Sequence, residues 1–378
     1  MSTSASKQTA LRTAWDGQDE VFGAAFSIMR DAIEQRVFPA ASLAVTTQDK
    51  VVALKSFGRF VYDEPAGSKK ELKNSPVSLD TLFDLASVTK VVATTTLAMI
   101  LYERGLLDLE APICTVIPEF LKTPDSDSRR RNVTFRMLLA HTSGLPAYEK
   151  LFLRAHAREE LLTAAFSSPL TADPGCSAEY SDIGFIILGV ALERTAQEKL
   201  DGFCQREIFG PLGMGGTTFH PPADLRSKIP PTADDVFFRK RIVQGEVQDE
   251  NAWVLGGVAG HAGLFSNAAD VALFAQAMLH GSPIIRQETV ELFTRRESSP
   301  VGTSRALGWD TPSQPSQSGK YLGPRAYGHL GYTGTSLWID PDRQLSITLL
   351  TNRTWPDCQN QTIKQVRPRV HDALVEAI

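Results

Sequence analysis

Cysteine is scarce: Cys114, Cys176, Cys204 and Cys358 are all that the 378 residues hold, far apart and never in a C-x-x-C spacing. That pattern speaks against a structural zinc site and against a disulfide framework, and makes a reducing compartment the default expectation. Seven histidines include no H-E-x-x-H pair, so a helix-borne metal site has no support; neither a metal nor an organic cofactor is expected. No run approaches the ~18 apolar residues of a membrane-crossing helix. Met1 to Arg30 lacks the apolar core of roughly 7–15 residues that marks a secretory leader. A cytoplasmic protein without a membrane partner is therefore expected, unless a leader precedes the chain as given. Lys and Arg number 39 against 43 Asp and Glu, a net charge of −4 with no basic stripe, which argues against a nucleic-acid partner. A G-x-S-x-G elbow and a G-x-x-x-x-G-K-[ST] loop are both missing, which counts against alpha/beta-hydrolase and P-loop chemistry.

What is present is ordinary globular composition, 42% hydrophobic and 22% charged. The length exceeds what one core usually fills, so two packed lobes or one large one are expected. Residues 1–20 read as a loose polar tail and Phe22 to Arg36 as a helix ending before Phe38-Pro39. Ala41 to Thr47 and Val51 to Phe57 are β-branched, apolar runs around Gln48-Asp49-Lys50, a hairpin pattern; 61–80 reads as a charged loop. From Ser87 to Arg104 almost no polar face remains, the mark of a helix in the middle of a core, with Gly105 as its C-terminal cap. Residues 106–285 read as mainly helical, with segments near 134–140, 157–166, 182–196 and 267–280, the last started by Asn267 with Asp270 three residues on. Ser336 to Ile339 and Leu345 to Thr351 form a second hairpin pattern, and 360–378 a final helix. Strands at both ends with helices between predict an α+β fold: one antiparallel sheet flanked by helices, built from 1–83 and 286–378, with 84–285 inserted as a mainly helical lobe and the active site between them.

Ser87-Val88-Thr89-Lys90 opens the buried helix, and the i,i+3 spacing puts hydroxyl and amine on one face. An alcohol becomes a competent nucleophile when a neighbouring base takes its proton, and a lysine can be that base only while neutral. Burial and the positive end of a helix both push a lysine that way. The bland alternative is that Ser87 only caps the helix; S-x-x-K is a weak pattern and recurs at Ser4 to Lys7. A capping role, however, would favour Glu over Lys in a first helical turn.

Two further motifs follow: Glu179-Tyr180-Ser181-Asp182 before an apolar helix, and Gly328-His329-Leu330-Gly331-Tyr332-Thr333-Gly334-Thr335 leading into the last hairpin. In this order the three resemble the S-x-x-K, Y-x-N and K-T-G motifs of the serine beta-lactamase and penicillin-binding-protein family. The third is similar to the H-x-G form found in its class C-like esterase and D-aminopeptidase branch. Leu138 to Leu145, Gly256 to Ser266 and Trp338 to Pro341 extend the likeness over roughly 20–378. The resemblance implies a beta-lactamase-like fold, Ser87 as acylated nucleophile, Lys90 as its proton partner and Tyr180 as a second proton shuttle. It also implies an oxyanion hole from the backbone N–H groups of Ser87 and Tyr332. Which residue is the base stays open: ionising a phenol at pH 7 costs about 4 kcal/mol and neutralising a lysine slightly more.

Two departures from the family pattern bear on substrate. Asp182 replaces an Asn, exchanging a donor for a group that only accepts when ionised, and it should favour a protonated Lys90. His329 replaces the usual Lys, weakening the fixed charge that would receive a substrate carboxylate, and Leu330 removes a hydroxyl. With Gly331 and His261 these residues are the expected substrate-binding set. His141 and Ser143 read as structural at a helix end capped by Gly144, and Trp253, Trp309 and Trp338 as core or cleft wall. The expected activity is a serine hydrolase for a small-molecule ester, amide or peptide, carboxylesterase-like first. A D-amino-acid amidase, peptidase or muropeptide hydrolase comes second and a weak beta-lactamase third; a non-turnover ligand sensor is the non-enzymatic alternative. Oligomeric state is not legible in the sequence.

Overall fold

The computed structural model describes residues 12–63, 72–122 and 127–378. The polar tail's start, with its second S-x-x-K, and 64–71 of the expected charged loop lie outside them. Both predicted hairpins form. β1 (Arg12–Thr13), β2 (Ala40–Thr47) and β3 (Lys50–Gly58) come from the N-terminal part, and β4 (Tyr327–Leu330), β5 (Ser336–Asp340) and β6 (Leu345–Thr351) from the C-terminal part. The sheet order is β1-β3-β2-β6-β5-β4, antiparallel except for β1 alongside β3. Thr47 pairs with Lys50, leaving Gln48 and Asp49 as a two-residue turn, and Gln48 adopts the φ of 53° that such a tight turn requires. β2 and β6 pair from Ala41 opposite Thr351 to Thr47 opposite Leu345, so the two chain ends join in mid-sheet.

The helices that frame the site are α1 (Gly23–Glu34), α2 (Thr96–Glu103), α3 (Asp182–Ala196), α4 (Ala268–His280) and α5 (Ile363–Glu376). Alternation along β2 sorts its side chains between two cores. Ala41, Leu43 and Val45 join Phe26 and Met29 of α1 and Val366 and Val370 of α5, whereas Ala40 and Ala44 join the large core around α2, α3 and α4. α4 packs against the sheet although it falls within 84–285; there Gln276 donates to the Thr46 hydroxyl and Met278 O accepts from Tyr327. The boundary at 285 thus separates α4 from the layer it covers. Strand pairs Ala233–Asp235 with Arg241–Val243 and Phe83–Asp84 with Phe265–Ser266 also interrupt the helical region.

The apolar stretch after Ser87 is not one regular helix. Ala86–Val88 is a 3-10 turn, Lys90–Thr95 a π-helical turn, and only α2 is α-helical. Every residue from Val88 to Leu101 is buried, as the pattern predicts. Gly105, at φ 67°, ends it, with Leu106 N–H donating to Leu101 O at 2.9 Å, the left-handed closure that glycine permits. No described helix is long and apolar enough to cross a membrane.

Candidate active site

The turn that carries Ser87 is strained and pinned. Ala86 has φ 46°, unfavourable for a residue with a side chain, and is held there from several directions. Asp84 accepts the Ala86 N–H at 2.8 Å with one carboxylate oxygen and the Gln248 N–H at 2.7 Å with the other. Thr333 donates to Asp84 O at 2.8 Å and Thr335 to Leu85 O at 3.1 Å, tying the Ser87 turn to the loop after β4. Burial pushes the Asp84 carboxyl up to about 6 against these hydrogen bonds.

Ser87 in the 3-10 turn and Lys90 at the start of the π-helical turn stand on one side of the chain, and Lys90 Nζ lies 2.9 Å from Ser87 Oγ. The fully buried ammonium also donates to Asp182 Oδ1 at 2.6 Å and His261 O at 3.0 Å, which uses all three of its N–H bonds. Both expected influences on Lys90 are present, burial acting downward and Asp182 upward. The charge and hydrogen bond of Asp182, with Tyr180 beside it, outweigh burial, and Lys90 lies above the ordinary lysine value. Tyr180 donates its hydroxyl to Ser87 Oγ at 2.7 Å. Burial, joined by the Asp182 charge, pushes that phenol up to about 12 despite Lys90. Ser87 Oγ therefore rests between an ammonium and a neutral phenol, accepting from both.

Tyr180 is aimed by the residues around the start of α3. Ser181 caps the helix by accepting from Gly184 N–H at 2.9 Å and itself donates to Pro146 O at 2.7 Å. His141 accepts the Ser181 N–H at 3.0 Å with Nδ1, accepts Glu179 N–H at 2.9 Å with its carbonyl, and places its ring 4.7 Å from that of Tyr180. The Leu138 to Leu145 segment is therefore scaffolding for the tyrosine, in keeping with the structural reading of His141. Trp309 and Trp338 are buried in the core, while Trp253 is partly exposed.

His329, on β4, is buried with Nδ1 donating to Leu330 O at 2.8 Å. Burial, with Lys90 and Arg305 nearby, holds it well below the ordinary histidine value, so it presents no charge. Gly331 is required for close approach: a Cβ there would fall 1.9 Å from Thr335 Oγ1 and 2.6 Å from Leu85 O. Among the described residues, the N–H groups of Ser87 and Tyr332 donate to no group of the surrounding turns. His261 contributes its carbonyl to Lys90, and its ring pairs with Asp249 Oδ1 at 2.8 Å. All the predicted residues border one cavity of about 690 Å³, except Lys90, which lies behind Ser87. Its walls add residues that sequence reasoning passed over: Asp249, Glu250, Arg305, Arg353 and Arg367. None lies in a recognised motif, and no local pattern marks them; they are brought in by tertiary packing alone.

The family model described as Beta-lactamase matches residues 26–366. A putative D-alanyl-D-alanine carboxypeptidase of Salmonella agona (strain SL483) is 32% identical over 350 residues, 84% of this chain and 79% of its own. N-acetylmuramyl-L-alanine amidase of Bacillus subtilis (strain 168) is 32% identical over 345 residues, 84% and 77% of the two chains. Among solved structures, EstCE1, a hydrolase with promiscuous acyltransferase activity, superposes with a TM-score of 0.76 at 19% identity, covering 94% of this chain and 99% of its own. A beta-lactamase/D-alanine carboxypeptidase from Pseudomonas syringae gives 0.72 at 19% identity, covering 93% and 99%. These two share the fold.

Proposed function

The chain belongs to the beta-lactamase family, and from that premise we propose that it acylates Ser87 and hydrolyses amide bonds in small, charged acyl-amino compounds of the kind found in cell-wall peptide fragments. The observation that carries the reading is the placement of Ser87 Oγ, 2.9 Å from Lys90 Nζ and 2.7 Å from Tyr180 OH, at the edge of the cavity.

The cavity walls favour amides of charged compounds over simple esters and so reverse the order of preference drawn from the sequence. Arg305, Arg353, Arg367, Asp249 and Glu250 all face it. A short alkyl ester would strip water from these groups and return no hydrogen bonds. The amidase among the relatives supports the same choice.

In the proposed reaction the Lys90 ammonium passes a proton to Asp182, 2.6 Å away, and the amine so freed takes the Ser87 proton. The net transfer is from serine to Asp182, as the alkoxide attacks the acyl carbon and the C–N bond subsequently breaks. The N–H groups of Ser87 and Tyr332 receive the oxyanion. Tyr180 gives its proton to the departing nitrogen and is reprotonated from the water that attacks the acyl-enzyme; as the acyl C–O bond to Ser87 breaks, the proton held by Asp182 returns through Lys90 to Ser87 Oγ. The test is intact-mass analysis after exposure to a panel of N-acyl amino acids, muropeptides, esters and beta-lactams. A transient adduct with an amide substrate, mapped to Ser87 and lost in Ser87→Ala, is expected. Turnover of esters alone would replace this reading with a carboxylesterase, and binding that survives Ser87→Ala without any adduct would replace it with a sensor.

A further inference from the structure

Asp84 ends a short strand pair two residues before Ala86, and the next residue, Leu85, is fastened by its N–H to Leu264 O at 2.9 Å. From that fixed base its carboxylate ties together two segments 164 positions apart. One oxygen accepts the Ala86 N–H at 2.8 Å and the other the Gln248 N–H at 2.7 Å. Ala86 precedes Ser87, and Gln248 stands in the cavity wall, whereas Asp84 itself is buried and does not border the cavity. Burial pushes its carboxyl up to about 6 while the two N–H groups pull the other way. Two charges reach it from the neighbouring segments: Asp249 pushes it in the same direction as burial, and Arg239 opposes. Arg239 is paired with Asp235 at 2.9 Å and Asp249 with His261 at 2.8 Å. The charge on Asp84 is therefore held chiefly by two backbone N–H groups.

An ionised carboxylate accepts with both oxygens, but a protonated one carries a donor on one of them. Facing two N–H donors, Asp84 satisfies both only while it is ionised. The Ala86 contact holds a backbone with φ 46°, a conformation that relaxes when its restraint is lost. The peptide that follows Ala86 contains the Ser87 N–H, so relaxation at Ala86 would turn that donor and the Ser87 hydroxyl together.

We propose that Asp84 is a positioning residue for acylation: its carboxylate holds the Ala86–Ser87 peptide in the strained orientation from which Ser87 reacts, and its protonation releases that hold. The inference rests on the acylation of Ser87 proposed above and deepens it. Asp84 acts through the Ala86 N–H and touches no substrate.

The experiment follows the rate at which a fluorophosphonate probe labels Ser87, read by intact mass, between about pH 4.5 and 8, with near-UV circular dichroism reporting the fold at each pH. The wild-type rate is expected to fall through a midpoint of about 6 toward an acid plateau about 10-fold lower, the scale of one hydrogen bond to a charged group. Asn has the shape of the protonated acid, with one acceptor beside one donor. Asp84→Asn should therefore label at the acid-plateau rate throughout and show no limb near pH 6. An Asp84 with a merely structural role would lower the rate by one factor at every pH and leave the limb in place. Asp249→Asn keeps Asp84 but removes a charge that raises it, so its limb should move to lower pH; this variant carries the test if Asp84→Asn does not fold. A wild-type rate without the limb, a limb that survives Asp84→Asn, full labelling by Asp84→Asn at the alkaline end, or a limb unmoved by Asp249→Asn overturns the assignment. Failure of the probe to label wild-type Ser87 at any pH would instead overturn the underlying hydrolase reading.

Discussion

A serine hydroxyl that accepts from an ammonium and a phenol is held in place but not yet activated, and in the proposed reaction the acid beside the ammonium decides what happens next. With Asp182 present, Lys90 is kept protonated at rest and regains its proton readily. Replacing Asp182 by Asn removes the charge that raises Lys90 and leaves burial to dominate, so its pKa should fall. At neutral pH, kcat is expected to drop by about 100-fold, the range of a lost proton relay, with little change in KM. Activity should then recover as pH rises and Lys90 loses its proton unaided, giving an alkaline limb that the wild type lacks. A pH–rate profile for Asp182→Asn parallel to that of the wild type would remove Asp182 from the relay. The residue types of this triad were legible because Ser87, Lys90 and Tyr180 stand in short motifs. The direction in which Asp182 pushes Lys90 was legible with them; that it outweighs burial was not, because the balance depends on a contact with a carboxylate 92 positions away in the chain.

At the level of elements, the 3-10 turn at Ala86–Val88 and the π-helical turn at Lys90–Thr95 are what bring Ser87 and Lys90 together. Apolar periodicity predicts a buried helix here and gives its end at Gly105; it carries no information about turn type, which the hydrogen bonds from Asp84 and the β4 loop impose. The strand β4 itself was missed, since four residues containing a glycine give no strand signal. Its Gly328 is needed, however, because a Cβ would meet Leu337 O at 2.3 Å. Gly331 is the more exacting position for function. Adding a methyl group in Gly331→Ala must push the Tyr332 loop away from Leu85. Displacing one oxyanion donor is worth about 100-fold to 1,000-fold in rate. Fluorophosphonate labelling of Gly331→Ala should slow by that order while far-UV circular dichroism stays unchanged. An unaltered labelling rate would show that the loop does not supply the donor.

For the molecule as a whole, closing the sheet with both chain ends buries polar groups that a smaller fold would leave wet. His371 on α5 is one, buried with its Nε2 3.3 Å from Ser336 Oγ. Burial, assisted by the charge of Arg367, pulls it down to about 3. A base depressed in the folded state contributes stability that is fully present above its unfolded value near 6.5. That stability is lost as pH falls from there toward the folded value, up to roughly 5 kcal/mol for this group. His141 and His329 shift in the same direction, whereas Asp84, raised to about 6, opposes them between about pH 4 and 6. The urea midpoint should therefore fall between pH 7 and pH 5, and His371→Asn should reduce that slope by about 1.4 kcal/mol per pH unit. A slope that the substitution leaves unchanged would mean that His371 is protonated in the folded chain.

The sequence by itself determined the fold class and the three motifs, because alternation, apolar runs and short spacings are local and survive without knowledge of distant partners. Tertiary structure decided which charges meet. It set Asp182 2.6 Å from Lys90, placed Arg305 in the cavity wall, folded α4 onto the sheet and bent the Ser87 turn into its strained form. Those outcomes depend on burial and on distances between residues tens to hundreds of positions apart, and no window along the chain contains them.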